Sequence, residues 1–131
     1  MAIWQVHFSL KRVFSNKHTD SQLWKDSIQE LVKEFGEQKS WSTDINQYGD
    51  IESTCIEIEM IDAEETNIDV RLDLRTLSKH QIQIICDFAN INELFLQKNG
   101  ELLEANMENV LLIIQNSTAY RFLQNPNEFL K

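Results

Sequence analysis

The stretch CIEIEMIDAEETNIDVRLDL, residues 55–74, alternates apolar and polar side chains in two runs that are separated by a short acidic segment. A period of two is typical of β-strands that bury one face. The intervening segment DAEET, residues 62–66, is polar enough to form a turn. We therefore predict an antiparallel hairpin with one buried face and one acidic face.

Further strand and helix patterns flank this hairpin. Residues 2–10 alternate in the same way and predict a first strand. Apolar residues at helical spacing predict helices over residues 20–35 and 78–90. The pair Asn99-Gly100, set between two apolar runs, predicts a second hairpin because a two-residue turn requires positive φ at both positions.

The fold class follows from the order of these elements. The strongest adjacent strands pair as hairpins and helices lie between them, which predicts an α+β fold. We expect an antiparallel sheet of about four to six strands, with about three to four helices packed mainly on one side. Residues 37–50 fit either an irregular strand or a long loop. The length of 131 residues, with 42% hydrophobic and 25% charged residues, fits a single globular domain over residues 1–131.

Charge is distributed unevenly along the chain. The formal net charge is −9, and residues 44–73 contain ten acidic residues against a single basic one, Arg71. Because nucleic-acid binding requires a basic surface, we expect no nucleic-acid partner and a basic protein partner instead. The sequence contains neither a signal-peptide pattern nor an apolar run long enough to span a bilayer. We therefore expect a cytoplasmic protein without a membrane partner.

Residue types that carry chemistry are scattered through the predicted elements. The histidines and cysteines are His7, His18, His80, Cys55 and Cys86. The cysteines lack metal-binding spacing and are expected to be reduced and buried, and no glycine belongs to a phosphate-binding loop. Glu57 and Glu59 share a strand face, but acid–base catalysis would require a histidine to converge with them in a pocket, and a solvated face is the ordinary interpretation. We expect no catalytic residue, no bound metal and no cofactor.

Aromatic residues lie near these acids, in the loop before the hairpin, and aromatics are favoured anchors of protein interfaces when a charged rim surrounds them. The alternative is that these aromatics cover the edge of the core while the acids keep the protein soluble. The predicted partner-binding surface consists of Trp41, Asp44, Tyr48, Asp50, Glu52, Glu57, Glu59, Asp62, Glu64 and Glu65. Because these acids alternate with core residues or lie in turns, we expect several of them, Glu57 included, to accept lysine without loss of the fold.

The C-terminal half resembles a known class of small bacterial proteins. The resemblance is carried by DLRTLS (residues 73–78), NGELLE (residues 99–104) and NSTAYRFLQNP (residues 116–126). These stretches look like those of immunity proteins that partner polymorphic or contact-dependent growth inhibition toxins. The resemblance implies a cytosolic, non-enzymatic protein that binds one cognate toxin domain, often a basic nuclease, and blocks its active site or substrate path. It assigns no site residue, and a non-catalytic adaptor or subunit of a larger assembly is the alternative.

Overall fold

A computed structural model describes residues 3–12, 21–39, 42, 44–60 and 66–122. The strands are β1 (Gln5–Arg12), β2 (Glu37–Gln38), β3 (Ile45–Tyr48), β4 (Cys55–Met60), β5 (Thr66–Asp73), β6 (Leu94–Lys98) and β7 (Glu101–Leu103). The helices are α1 (Ser21–Phe35), α2 (Lys79–Ile91) and α3 (Met107–Gln115), and a 3-10 helix (Ala119–Phe122) follows. Helices and strands are therefore interspersed along the described part of the chain.

The described strands form one sheet in the order β2-β3-β4-β5-β1-β6-β7, and every neighbouring pair is antiparallel. The predicted hairpin is β4-β5, in which Ile56 lies opposite Val70 and Glu57 lies opposite Asp69. Strand β1 pairs with β5 on one side and β6 on the other, which places the first strand inside the sheet. The predicted α+β class with an antiparallel sheet is confirmed, although the sheet has seven strands rather than four to six.

The additional strands lie in the segment for which the sequence left two interpretations open. Residues 37–50 contain β2 and β3, which pair with each other through Glu37 and Tyr48. The irregular-strand interpretation is therefore the right one. A strand of two residues is too short to show an alternating pattern, and for that reason the sequence underestimated the strand number.

One apolar core lies between the sheet and the helices. Alternate strand residues such as Phe8, Ile56 and Val70 are almost completely buried in it. The helices add Leu31 from α1, Ile82 and Ile85 from α2, and Val110 and Ile114 from α3 to the same cluster. The strand residues of the opposite register, which include Glu57 and Asp69, therefore lie on the other face of the sheet.

Local hydrogen bonds fix where α2 begins and where the second hairpin turns. Ser78 Oγ accepts a hydrogen bond from the Gln81 backbone N–H, and Gln81 Oε1 accepts one from the Ser78 N–H, which closes a capping box. Asn99 and Gly100 have φ values of 52° and 80°, as the predicted two-residue turn requires. Both signals are local in sequence, which is why they could be recognised there.

Candidate protein-binding surface

The acidic segment does not form one continuous face of the molecule. Strand β3 runs antiparallel to β4, with Ile45 opposite Glu59, so Asp44 and Glu59 lie at one end of these strands. The loop between the two strands carries Asp50 and Glu52 at the other end. Six residues of β4 separate the two ends, which corresponds to about 20 Å. The acids therefore divide into two separate groups.

Between these groups, each acidic residue of β4 and β5 contacts a cationic or hydrogen-bonding side chain. Glu57 Oε1 lies 3.1 Å from Arg71 Nη1, and Glu57 is only 8% exposed. The expectation that Glu57 belongs to a solvated face is therefore wrong. Residues Cys55–Ile58 are buried at all four positions, so alternation along this part of β4 does not separate core from solvent.

Asp69 is held in its charged form by two neighbours on β1. His7 Nε2 lies 3.2 Å from Asp69 Oδ1, and Ser9 Oγ donates to the same oxygen at 3.1 Å. The hydrogen bond from His7 is the main cause that lowers the Asp69 pKa, although partial burial opposes it. The resulting stabilisation is present above the ordinary carboxyl pKa and is lost as the pH falls through the lowered value.

The same three residues do not form a nucleophilic relay. In a serine–histidine–aspartate triad, the hydroxyl is hydrogen-bonded to the imidazole that removes its proton. Here the Ser9 hydroxyl donates its hydrogen bond to the Asp69 carboxylate instead of to the imidazole. The His7 imidazole contacts Asp69, and His80 Nε2 lies 3.3 Å from Glu34 Oε2. His18 lies outside the described residues, among which no group of three potential metal ligands occurs.

Arg75 is fixed at the end of β5 by Asp73 and Trp4. Asp73 is 1% exposed, and its carboxylate accepts hydrogen bonds from Arg75 Nε at 3.1 Å and Arg75 Nη2 at 3.0 Å. The guanidinium carbon lies 3.8 Å from the centroid of the Trp4 ring, within range of a cation–π contact. Hydrogen bonding to Asp73 raises the Arg75 pKa. The positive charge of Arg75 therefore has a fixed position, although half of the Arg75 side chain is exposed.

The loop that connects β3 and β4 is fastened to this end of the sheet. Gln5 Nε2 donates to the carbonyl oxygens of Ile51 at 3.0 Å and Ser53 at 2.7 Å. Thr54 Oγ1 accepts a hydrogen bond from the Asp73 backbone N–H at 3.0 Å. These bonds come from β1 and β5, so the loop has a defined position relative to the sheet.

Gly49 adds a second constraint at the start of the loop. Its φ is +91°, and a Cβ at this position would collide with the Thr54 carbonyl oxygen. Asp50 Oδ1 then accepts a hydrogen bond from the Glu52 backbone N–H at 2.9 Å, which forms a tight local turn. Glycine is required here for the backbone of the loop to close upon itself.

At this end of the sheet, the start of β1, the β3–β4 loop and the end of β5 carry exposed or partly exposed apolar and charged residues, which we call the strand-end surface. It consists of Ile3, Trp4, Asp50, Ile51, Glu52 and Arg75. Ile3 is 60% exposed and Ile51 is 38% exposed, while Asp50 and Glu52 form no ion pair with any described residue. Exposed apolar residues within a charged rim are typical of protein interfaces.

Sequence reasoning identified only the acids of this surface. Trp4 was assigned to the alternating pattern of the first strand, whereas β1 begins at Gln5. Ile3 and Ile51 are distant in sequence. The two segments are connected in the fold by the Gln5 side chain, which donates a hydrogen bond to the carbonyl oxygen of Ile51, 46 positions away. A signal that could have pointed to Ile51 is its place between Asp50 and Glu52, because an apolar residue in an acidic turn is not part of an alternating strand pattern.

The other predicted surface residues have different surroundings. Tyr48 is 4% exposed and belongs to the apolar core, so it is not available as an exposed anchor, and burial followed by the charge of Glu37 raises its pKa. It lies opposite Ile56 and therefore shares the register that faces the helices. Asp44 is exposed and Glu59 is partly exposed at the far end of the strands. Trp41, Asp62, Glu64 and Glu65 lie outside the described residues.

Both thiols are buried and free, and we expect them to be unreactive in the folded protein. Burial raises the pKa of Cys55 and of Cys86 to about 11, so about one thiol in a thousand is ionised at pH 8. An aromatic disulfide reagent should therefore label the native protein slowly and should titrate two thiols after denaturation without reductant. A denatured yield near zero in freshly purified protein would contradict this expectation.

Two further findings concern the chain as a whole. Among the described residues, no helix combines the length and the apolar character needed to cross a bilayer. Comparison with protein-family models, with curated proteins and with solved structures finds no match for this chain.

Proposed function

We propose that this chain is an immunity protein that binds a cognate bacterial toxin domain stoichiometrically and neutralises it. The observation that carries the proposal is the strand-end surface, where Ile3 and Ile51 are exposed at the same end of the sheet as Asp50 and Glu52, two acids without an ion pair among the described residues. The hydrogen bonds from Gln5 hold the loop in place before any partner arrives. Such preorganisation reduces the entropy that association must overcome.

The charge of the surface favours a basic partner. Asp50 and Glu52 contribute to the net charge of −9, and acidic potential accelerates encounters with a cationic protein. Arg75 provides the opposite charge at one side of the same surface. Asp73 accepts hydrogen bonds from its Nε and Nη2, which leaves the donors on Nη1 for a partner. A partner with basic residues opposite the acids and one carboxylate opposite Arg75 would satisfy this arrangement. A basic nuclease domain acting in the cytoplasm fits that description, and the chain itself contributes no catalysis.

A non-catalytic adaptor or subunit of a larger assembly is the second candidate. It is favoured by apolar side chains that are exposed on other elements of the described chain, namely Ile91 on α2, Leu102 on β7 and Leu112 on α3. A subunit that contacts several neighbours would bury such residues simultaneously.

Affinity capture from the source organism, followed by a protection assay, tests the proposal. We expect the chain to retain one partner in a one-to-one complex, and to restore growth of cells that express this partner. As a control, the variant that carries both Asp50→Lys and Glu52→Lys should protect less well at equal abundance. A captured partner that is harmless when expressed without this chain would favour the adaptor instead.

A further inference from the structure

The tip of the β6-β7 hairpin places an asparagine directly before a glycine in contact with solvent. Asn99 and Gly100 form the two-residue turn and are both exposed. Asn99 is the only asparagine of the sequence that a glycine follows. Its side chain forms no hydrogen bond with any described residue. The side-chain amide of Asn99 is therefore accessible to a nucleophile.

The backbone nitrogen of Gly100 is positioned in the chain to close a cyclic imide with that amide. Lys98 and Glu101 are the residues that pair across the hairpin, and the Gly100 N–H forms no backbone hydrogen bond within the described part of the chain. A Cβ at Gly100 would have no atom within 4 Å beyond its chain neighbours. Neither a side chain of its own nor the surrounding protein therefore shields this nitrogen.

We propose that Asn99 is a site of spontaneous covalent modification, which converts it through a cyclic imide into an aspartyl or isoaspartyl residue. The Gly100 nitrogen loses its proton and attacks the side-chain carbonyl carbon of Asn99. The N–Cγ bond forms, the Cγ–Nδ2 bond breaks, and ammonia leaves with the proton. One water molecule then opens the ring. Cleavage of the new N–Cγ bond gives the aspartyl product, and cleavage of the original peptide bond gives the isoaspartyl product. The reaction consumes water, releases ammonia and requires neither an oxidant nor a reductant.

The sheet allows this tip to open without disturbing the core. Strand β7 has three residues, lies at the edge of the described sheet and pairs there with β6 alone. Strand β6 is held on its other side by β1, and Lys98 donates its ammonium to the His7 carbonyl oxygen at 2.6 Å. Short edge elements open at a lower cost than core strands. The rotation that brings the Gly100 nitrogen to Asn99 Cγ therefore requires the detachment of β7 only.

Other asparagines of the chain lack this combination and serve as internal controls. Asn92 is 1% exposed, and its Nδ2 donates to Ser27 Oγ at 3.0 Å. Asn106 caps α3, and its Oδ1 accepts a hydrogen bond from the Asn109 backbone N–H at 2.8 Å. Each of the two precedes a residue with a large side chain rather than a glycine. We expect both to remain unmodified while Asn99 reacts.

The isoaspartyl product changes the turn itself. It adds one carbon to the main chain between Lys98 and Glu101, whose pairing depends on a turn of two residues with positive φ. It also places a new carboxylate beside Glu101. We therefore expect β7 to separate from β6 in the modified protein, while the β4-β5 hairpin stays intact. The inference does not depend on the proposed toxin-neutralising function.

Incubation of the purified protein at mildly alkaline pH, followed by peptide mass spectrometry, tests the proposal. The peptide that contains Asn99 should gain about one dalton, with electron-based fragmentation identifying the isoaspartyl form. Its rate should rise roughly tenfold per pH unit, because the fraction of deprotonated nitrogen rises by that factor. The same chain unfolded in guanidinium chloride gives the reference rate, and the native rate should lie within about tenfold of it. Stronger protection of the native turn, or equal rates at Asn92 or Asn106, would overturn the proposal.

Two matched variants complete the test. Asn99→Gly keeps a residue that accepts positive φ but removes the amide, so this peptide should gain no mass. A gain as fast as in the parent would assign the reaction to Gln97 instead and would overturn the proposal. Asn99→Asp has the charge of the product without the additional main-chain carbon. Its β7 amides should exchange with solvent as in the parent, whereas those of the isoaspartyl protein should exchange at least about tenfold faster. Equal exchange in these two forms would contradict the expected separation of β7.

Discussion

The substitution Glu57→Lys is expected to lower the free energy of unfolding by about 3 kcal/mol. Glu57 is 8% exposed and its carboxylate lies 3.1 Å from Arg71 Nη1, so lysine would place a second cation beside the guanidinium with little access to water. Loss of one partner from a buried ion pair costs about 3–5 kcal/mol. The 27% exposure of the Arg71 side chain reduces that cost by solvent screening, while the new repulsion increases it.

Glu59→Lys is the matched control for this prediction. Glu59 lies two residues further along the same strand face, is partly exposed, and accepts a hydrogen bond of 3.3 Å from Asn67 Nδ2. A surface change of this kind should alter stability by less than about 1 kcal/mol. Urea unfolding measures the free energy of unfolding of both variants, and the comparison requires that its slope against urea concentration stays the same. Equal losses for the two variants would contradict the conclusion that the environments of Glu57 and Glu59 differ.

The second large effect concerns association at the strand-end surface. Asp50→Lys combined with Glu52→Lys should slow binding of the basic partner roughly tenfold or more at low salt, because the acids no longer steer the encounter. The difference from the parent should shrink as salt screens the charges. Asp44→Lys combined with Glu59→Lys makes the same charge change at the far end of β3 and β4, and should slow binding less. Stopped-flow association at two salt concentrations measures both variants.

Removal of the apolar side chains should change a different rate constant. Ile3→Ala and Ile51→Ala remove exposed groups that a partner would bury, so they should mainly raise the off-rate. If either residue is a central contact, the loss is about 2 kcal/mol, or roughly 30-fold in Kd. A stronger effect of the Asp44 and Glu59 variant would place the interface at the far end of the strands. Unchanged rates in all these variants would leave the acids as solubilising surface.

The accuracy of the sequence predictions depended on how local each signal is. The β4-β5 hairpin was predictable because alternation over six to eight residues reports directly on a strand. The Asn99-Gly100 turn was predictable because its φ requirement concerns two adjacent residues. Tyr48 was misjudged because its strand, β3, has four residues and its burial depends on α1 packing over that strand. Its neighbours in sequence are polar, so the sequence left an interface anchor and a residue at the edge of the core as alternatives, and the burial of Tyr48 supports the second.

The sequence by itself determined the α+β class, the antiparallel hairpins and the excess of acids between residues 44 and 73, because each depends on composition or on residues close together in the chain. Only the tertiary structure decided which acids form ion pairs within the described part of the chain. A period of two tells which side of a strand a residue faces, but it does not tell which residue of the next strand lies opposite. The pairing of β4 with β5 brings Arg71 within 3.1 Å of Glu57, while Asp50 and Glu52 lie on a loop that Gln5 ties to β1 and form no ion pair with a described residue. Strand register and long-range hydrogen bonds, which no local pattern encodes, therefore separate the paired acids from those without an ion pair among the described residues.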